Sequence, residues 1–324
     1  MSDSICLSGP KEAAPPEQFT GQTQIAVCIP TYRRPAELRR LLEALALQEP
    51  LRNCEMTIVV VDNEESPETK AICDEFAPKM IYPLRYCWEL RPGLAHVRNK
   101  AIEVARQFAD AIAFIDEHEV PSPGWLKYLA SCQRAYGADV VSGPVIPCYL
   151  PNIPQWIRAG RFFEMPRYVT GTELPEGRIG NVLIRMEVFD RIGTFDERFA
   201  LTGGEDMDFF VRFHESGGRI RWSNEAVTEE WLPPCYTTLS HVLQGSYQRA
   251  KVNAIRACRS RLSLSMHIIC GVLRSTLGIY LLLASLLRGK VESVKALQRI
   301  WSGAGTIAGA TTPHGGHYPA AHSV

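Results

Sequence analysis

The chain has 324 residues, of which 46% are hydrophobic and 22% charged, and its formal net charge at neutral pH is zero. This composition is typical of a globular protein with ample material for a core, and the lack of a basic excess argues against a nucleic-acid partner. The ten cysteines stand singly, without a CxxC pair, which excludes the usual zinc spacings and is typical of a reducing compartment.

The N-terminal half alternates between apolar runs and amphipathic segments. Residues 1–22 are polar and rich in proline, and we expect a disordered leader there. After it, strand and helix patterns follow one another at a spacing that predicts βαβ units and a mostly parallel sheet. The expected strands lie at 25–30, 57–61, 84–88 and 111–115. Helices are expected at 36–48, 93–108 and 125–136, and another helix is expected to start at 66–68.

The following stretch is less regular. A strand is predicted at 139–146, and the segment 147–177 is predicted to be irregular because proline, glycine and aromatic residues dominate it. Such a long irregular segment inside a compact domain suggests a lid over an acceptor. Shorter elements are expected beyond it, at 180–185, 186–192, 206–216, 219–222 and 227–231.

One stretch concentrates the chemistry. The apolar run 111–115 leads directly into Asp116, Glu117, His118 and Glu119. Open α/β folds bind ligands where the chain leaves the carboxyl ends of the strands. Carboxylates with an imidazole suit Mg²⁺ or Mn²⁺, although a solvated acidic turn would have the same composition.

Acidic residues also follow two other predicted elements. Asp62 ends the second strand, and Asp206 begins a helix after two glycines. One such acid is usually a helix cap or turn residue. Together with Asp116, they suggest a nucleotide and metal site.

The motifs also resemble a known family. Their order is that of glycosyltransferase family 2, and the chain is most similar to bacterial exopolysaccharide enzymes of the succinoglycan β-glycosyltransferase type. The resemblance covers about residues 25–231, and it implies a GT-A fold and a nucleotide-diphosphate sugar as donor. The motifs are Pro-Thr-Tyr-Arg-Arg at 30–34, Val-Asp-Asn at 61–63, Gly-Leu-Ala-His-Val-Arg-Asn at 93–99, Phe-Ile-Asp-Glu-His-Glu at 114–119 and Gly-Gly-Glu-Asp at 203–206.

The resemblance assigns the donor side of the site. Thr31 and Arg33 would border the nucleotide, and Asp62 would accept hydrogen bonds from the uracil or the ribose. Arg98 would bind the nucleotide or its diphosphate through its planar guanidinium. The alternative for Arg98 is a surface position paired with Glu103.

The resemblance also places a metal. Asp116-Glu117-His118 occupies the position of the family's DXD motif, so Asp116 would contact both donor and cation, and His118 would be the second metal ligand. Because imidazole replaces a carboxylate, we expect weaker Mg²⁺ binding and a preference for Mn²⁺. In the alternative interpretation, Glu117 or Glu119 binds the metal.

The acidic pair at 205–206 supplies the expected catalytic group. Transfer with inversion needs one carboxylate to take the proton of the acceptor hydroxyl. Asp206 is the expected base, and Glu205 is either an alternative base or a ligand of the acceptor hydroxyl. Helix capping alone would explain the same pair.

The C-terminal part differs from the rest. Residues 237–301 are predicted to be helical, and nine Lys or Arg but a single acidic residue lie between positions 251 and 301. The apolar stretch 267–287 contains Arg274. We therefore expect an interfacial or re-entrant helix on an anionic membrane surface rather than a helix that spans the membrane. A soluble helix packed on the domain or on another subunit is the alternative. Residues 302–324 are expected to be a disordered tail after the transferase domain (23–236) and the helical segment.

These observations favour an inverting hexosyltransferase. It would move sugar from a UDP-sugar to a saccharide or a polyprenyl-diphosphate-linked glycan, with Mn²⁺ or Mg²⁺, in bacterial polysaccharide synthesis. Its expected location is the cytoplasm, as a peripheral or monotopic protein of the inner membrane. The alternatives are a sugar-nucleotidyltransferase and a catalytically degenerate binding subunit. The first strand is not followed by a Gly-rich loop with a lysine, which argues against the nucleotidyltransferase.

Overall fold

A computed structural model describes residues 23–51, 53–151, 153–201, 203–257, 261–285 and 288–312. Within these residues, the chain forms a large mixed sheet, a small second sheet, and helices on both faces. The strands are β1 Thr23–Thr31, β2 Cys54–Asp62, β3 Leu84–Trp88, β4 Ala111–Phe114, β5 Glu119–Pro121, β6 Val140–Ser142, β7 Val145–Tyr149, β8 Glu173–Leu174, β9 Val182–Arg185, β10 Ile220–Trp222 and β11 Thr228–Leu232. The helices are α1 Pro35–Ala46, α2 Pro67–Phe76, α3 Leu94–Ala105, α4 Trp125–Tyr136, α5 Gln155–Gly160, α6 Met186–Ile192, α7 Glu205–Glu215, α8 Leu239–Ala257, α9 Arg261–Ser285 and α10 Lys290–Ala310.

The described strands of the large sheet follow the order β3-β2-β1-β4-β9-β6-β10-β8. Strands β3, β2, β1 and β4 are parallel, whereas β9 runs antiparallel to both of its neighbours. Alternate residues of β1 enter opposite cores: Ile25 and Val27 pack with α1, α2 and α4, and Ala26 packs with α3, α6 and α7. Burial on both faces explains the unbroken apolar runs, and the predicted α/β class is confirmed.

The predicted strand at 139–146 is wrong in one respect. It consists of two strands, β6 in the large sheet and β7 in the small sheet, whose order is β5-β11-β7. The break falls at Gly143-Pro144. A Cβ atom at Gly143 would lie 2.2 Å from the carbonyl oxygen of Ala226, so only glycine fits there. The segment 147–177, predicted to be irregular, contains the end of β7, all of α5 and strand β8.

The three C-terminal helices pack through glycines. Helix α10 lies between α8 and α9, and a Cβ at Gly305 or Gly309 would lie 2.2 or 2.1 Å from the carbonyl oxygens of Tyr247 or Lys251 on α8. The disordered tail predicted from residue 302 is therefore wrong as far as Ala310, which ends α10. Small residues that suggested disorder allow close helix packing instead. The leader 1–22 and residues 313–324 lie outside the described residues.

Helix α9 exposes much of its apolar surface. Residues Ser263–Ser285 have a mean hydropathy of 1.8 with only 17% of the most apolar window buried, and this is the one described helix that length and composition would allow to cross a membrane. The intervening Arg274 donates to Ser302 Oγ and Thr306 Oγ1 of α10, at 3.1 and 3.5 Å. Its charged group is thus held by α10.

Gly303→Val tests the glycine contact between α9 and α10. A Cβ at this position would lie 2.5 Å from the carbonyl oxygen of Gly271 on α9. We expect overpacking to cost about 1–3 kcal/mol and to make α9 and α10 susceptible to limited proteolysis. Ala304→Val is the matched control, because Ala304 is exposed. Equal protease resistance of both variants would contradict this packing.

Candidate active site

The predicted acidic residues lie at one edge of the large sheet. The parallel register pairs Thr31 with Asp62 and Cys28 with Phe114, so Asp116 leaves the sheet beside the ends of β1 and β2. These are carboxyl ends of neighbouring parallel strands, where an α/β sheet opens a crevice. The topology therefore brings together turns that are far apart in sequence.

Asp62 organises the turn after β2. Its carboxylate is fully buried and accepts hydrogen bonds from the backbone N–H groups of Glu64 (3.1 Å) and Ser66 (2.8 Å) and from the Tyr86 hydroxyl (3.2 Å). These hydrogen bonds fix the conformation of the turn 62–66, at the carboxyl end of β2. The contact of Asp62 with a nucleotide stays a prediction.

Thr31 and Arg33 follow β1 and differ in exposure. Thr31 is 3% exposed, and its Oγ1 has no hydrogen-bond partner among the described residues. Arg33 is exposed, adopts a left-handed backbone conformation with φ of 54°, and donates to Glu64. Both residues border the turn that Asp62 stabilises, and their nucleotide contacts stay predictions.

Arg98 lies inside the protein, on α3, rather than on its surface. It is 4% exposed, forms an ion pair with Glu205, and places Nη2 3.5 Å from Oδ1 of Asp116. Burial lowers its pKa, but the charges of Glu205, Asp116 and Asp206 raise it overall. The guanidinium is therefore held between two acidic turns. Its expected contact with the nucleotide or its diphosphate stays a prediction, whereas the alternative of a surface position paired with Glu103 is wrong because Arg98 is buried against Glu205.

Glu205 and Asp206 start α7 but face different surroundings. Gly203 and Gly204 precede them with φ of 71° and 98°, a left-handed path that glycine allows. Glu205 is 3% exposed, and burial raises its pKa although Arg98 opposes the rise. Asp206 is partly exposed, and its Oδ1 accepts from the backbone N–H of Met207 at 2.8 Å. Glu205 is thus buried against Arg98 whereas Asp206 is partly exposed, and the roles expected of both residues stay predictions.

The turn after β4 carries His118 in a polar cluster. Its Nε2 lies 3.4 Å from Oε1 of Glu230 on β11, and its Nδ1 lies 3.4 Å from Nη1 of Arg34. Arg34 also contacts Glu117 at 3.5 Å and donates to the Tyr236 hydroxyl at 3.2 Å. Burial lowers the pKa of His118, but the bond to Glu230 and the charges of Asp116 and Glu117 raise it to about 9.

The donor types of this turn suit a divalent cation. Within the described ranges, no three His, Cys, Asp or Glu residues are already gathered around one metal position. However, the side chains of Asp116 and His118 remain 23% and 24% exposed. Gly180 leaves space between the two carboxylates of Glu119 and Asp116, since a Cβ there would lie 2.7 Å from Oε1 of Glu119 and 3.4 Å from Oδ2 of Asp116. Carboxylate and imidazole together fit Mn²⁺. In this structure, the guanidinium of Arg34 lies beside the imidazole of His118.

Glu119, an alternative ligand, is unsuited to that role. It is 3% exposed on β5, and burial and the charge of Asp116 raise its pKa to about 8. Three further residues of this cluster, Glu230, Arg34 and Tyr236, were not predicted as members of the site. Arg34 belongs to the motif at 30–34, and the acidic pair at 229–230 lies in a predicted extended segment, so both positions carried a sequence signal.

A mixed sheet with the turns after β1, β2 and β4 at one edge, joined by Arg98 to the start of α7, is the arrangement of a nucleotide-sugar enzyme with a GT-A fold. Comparison with known proteins agrees. The family model "Glycosyl transferase family 2" matches residues 26–193, and "N-terminal domain of galactosyltransferase" matches 165–230. The chain belongs to glycosyltransferase family 2.

Among curated relatives, the chain is 31% identical to the succinoglycan biosynthesis protein ExoM of Rhizobium meliloti (strain 1021), over 71% of this chain and 73% of that protein. It is 24% identical to a validoxylamine A glucosyltransferase of Streptomyces hygroscopicus subsp. limoneus, over 69% of this chain and 58% of the relative. The predicted resemblance is thereby confirmed.

Two solved structures share the fold. The mannosyltransferase PcManGT from Pyrobaculum calidifontis, in complex with GDP-Man and Mn²⁺, has a TM-score of 0.59 at 18% identity and covers 93% of this chain and 89% of its own. S. aureus TarS 1-349, in complex with UDP-GlcNAc, has a TM-score of 0.52 at 16% identity, covering 86% and 90%. The GT-A prediction is confirmed.

Proposed function

We propose that this glycosyltransferase moves a hexose from a UDP-sugar, with inversion, to a saccharide or a polyprenyl-diphosphate-linked glycan in bacterial polysaccharide synthesis. The observation that carries this proposal is Arg98, which contacts Asp116 of the acidic turn and Glu205 next to Asp206. These contacts bring the turn of Asp116 close to the helix start that carries Asp206, which supports a shared crevice. Family membership and the likeness to ExoM support the reaction class and the setting.

In the proposed mechanism, Asp206 is the general base. Its carboxylate takes the proton of the acceptor hydroxyl while that oxygen attacks the anomeric carbon, and the bond to the nucleoside diphosphate breaks on the opposite face. Glu205 and Arg98 hold the start of α7 in place. No covalent sugar–enzyme bond is needed, so one base is sufficient.

Asp116 and His118 would hold Mn²⁺ or Mg²⁺, which stabilises the negative charge of a departing diphosphate when bound. Two structural relatives, PcManGT and GalNAc-T7, were solved with Mn²⁺, which supports a cation. Glu230, which contacts Nε2 of His118, would orient the imidazole ring for this role.

The reaction is tested by release of the nucleoside diphosphate. Purified full-length protein is incubated with Mn²⁺, a panel of UDP-sugars and GDP-mannose, and saccharide or polyprenyl-diphosphate-linked acceptors. We expect one UDP-sugar to be turned over, faster with acceptor. Release of sugar 1-phosphate from the donor with pyrophosphate would instead indicate a nucleotidyltransferase, and binding of donors without turnover would indicate a binding subunit.

His118→Ala tests the metal assignment. We expect the affinity for Mn²⁺, measured by electron paramagnetic resonance of free Mn²⁺, to fall about tenfold or more, since an inner ligand is lost. His118→Asp should restore binding and improve that of Mg²⁺. His214→Ala is the control, because His214 lies on α7, outside the acidic turn. Unchanged Mn²⁺ binding in His118→Ala would remove His118 from the site.

We further propose that the protein works in the cytoplasm, as a peripheral or monotopic protein at the inner face of the membrane. Such a location would give access to a polyprenyl-linked acceptor. The exposed apolar surface of α9 supports this part of the proposal.

A further inference from the structure

Helix α9 presents a continuous apolar face to solvent. Five large side chains along it are between 51% and 68% exposed, and their spacing of three or four residues places them on one side of the helix. They form what we call the outer face: Ile269, Leu273, Leu277, Tyr280 and Leu283. An exposed apolar surface of this extent usually marks an interaction site.

A basic cleft lies near the C-terminal end of α9, between this helix and α10. Arg288, Lys295 and Arg299 line a small cleft together with Leu281 and Ser285 of α9, and Glu292 is the one acidic residue in its lining. These three cations, of which Lys295 is ion-paired with Glu292 at 2.9 Å, form what we call the basic cleft. A guanidinium or ammonium group beside an apolar face matches a phospholipid, whose phosphate adjoins its acyl chains.

The packing of α9 determines its orientation. Along its length it contacts α10 through Gly271 and Gly278, where a Cβ would lie 2.8 Å from the carbonyl oxygen of Gly303 and 3.0 Å from that of Ala296. Helix α10 is packed on α8 in turn and carries the exposed charges Lys295 and Arg299. A membrane-spanning α9 would draw these charges into the hydrocarbon core, which is costly. Only the outer face is free to enter lipid.

Charge also decides between lipid and a second copy of the chain. A two-fold dimer through the outer face with parallel α9 helices would bring the two basic clefts to the same end. Like charges at close range oppose such a contact, whereas anionic headgroups neutralise them.

We propose that the outer face of α9 lies in the plane of an anionic phospholipid surface, with the basic cleft on lipid phosphates. This deepens the membrane part of the proposed function, on which it rests, by naming the inserted residues, the orientation and the lipid charge. The outer face enters the acyl boundary, α10 stays above it, and the transferase domain remains in water.

Vesicle flotation tests the lipid specificity. The full-length protein is mixed with vesicles of phosphatidylcholine alone or with 30% phosphatidylglycerol. We expect much tighter binding to the anionic vesicles and weakening by salt. Each basic residue near such a surface strengthens binding about fivefold, so Arg288→Gln/Lys295→Gln/Arg299→Gln should lose affinity on the order of 100-fold. If this variant bound the anionic vesicles as tightly as the parent protein does, the role of the basic cleft would be overturned.

A second pair of variants tests the outer face. Leu273→Gln/Leu277→Gln should lose at least about tenfold in affinity for vesicles, because two apolar side chains no longer enter lipid. Ile81→Gln/Val169→Gln is the matched control, since both residues are more than 70% exposed elsewhere on the chain. Equal losses in both pairs, or no vesicle binding by the parent protein, would overturn the proposal. So would a dimer in light scattering that only the α9 variant dissolves.

Depth measurements test the orientation. Tryptophan is placed singly at Ile269, Leu273 and Tyr280, and its quenching by brominated lipids is compared with that of the parent. An in-plane helix gives the same shallow depth at all three positions. A spanning helix would give a depth difference of roughly 16 Å between 269 and 280, and this result would overturn the proposal. Donor hydrolysis is measured in parallel: activity that persists without vesicle binding leaves the proposed reaction intact, whereas vesicle binding without any turnover refutes only the reaction.

Discussion

Asp206→Asn is expected to lower the rate of sugar transfer by about 10²–10⁴-fold, the usual contribution of a general base. The amide keeps the shape of the side chain but cannot take the proton of the acceptor hydroxyl. Because Asp206 accepts only one described hydrogen bond, from Met207 N–H, we expect the fold to tolerate the change. The measurement is single-turnover release of UDP with saturating donor and acceptor, and UDP affinity should stay unchanged.

Asp208→Asn is the matched control for the base. Asp208 lies in the first turn of the same helix and binds Arg212 at 2.8 Å. It should retain nearly full activity. If Asp206→Asn kept the parent rate, or if both variants lost activity equally, Asp206 would not be the base, and the catalytic part of the proposed function would fail.

Arg98→Ala is expected to destabilise the protein by about 3–5 kcal/mol, because it leaves two carboxylates without their shared cation. For a domain of this size, such a loss lowers the melting temperature by roughly 10 °C. Arg106→Ala is the control. Arg106 ends the same helix and forms an exposed ion pair with Asp190, so its loss should cost less than about 1 kcal/mol. Similar melting temperatures for both variants would contradict the buried pairing.

The Arg98→Ala defect should depend on pH. Without the guanidinium, the pKa of buried Glu205, already raised by burial in the parent, rises further. Between the pKa of Glu205 in the unfolded state and its higher pKa in the folded state, only the folded state keeps the proton. Stability is therefore lost as the pH rises through this range and recovered as the pH falls. We expect the difference in melting temperature between variant and parent to shrink from pH 8 to pH 5, measured by calorimetry. A constant difference would show that Glu205 does not respond to Arg98.

The sequence allowed the regular elements and the reaction class to be predicted, because both depend on local patterns. Apolar runs mark β1, β2 and β4, and the leucines of α1 mark its buried side. The break between β6 and β7 at Gly143-Pro144 was not predicted, because its cause is the carbonyl group of Ala226, which is distant in sequence. Likewise, α10 was predicted to end before residue 302 because a run of small residues looks the same in a disordered tail and in a close helix contact.

The site was predicted in part for a similar reason. Motif positions suggested Asp116, His118 and Asp206, whose roles stay predictions, but motif positions do not tell whether a side chain is buried or exposed. Arg98 and Glu205 are buried against each other, a pairing between residues more than one hundred positions apart. Glu230 contacts His118 only because β11 pairs with β5. Such contacts follow from tertiary structure, so neither residue type nor spacing revealed them.

Helix α8 has a practical consequence for preparing the protein. Its Val252 lies against Gly204, directly before the start of α7, while Tyr247 and Lys251 receive α10. A chain truncated after residue 257 to remove the apolar α9 would expose the side of α8 that α10 covers. It would also destabilise the contact between α8 and the start of α7, where Asp206 lies. We expect such a truncated enzyme to precipitate more readily and to turn over more slowly than the intact chain in nanodiscs or mild detergent.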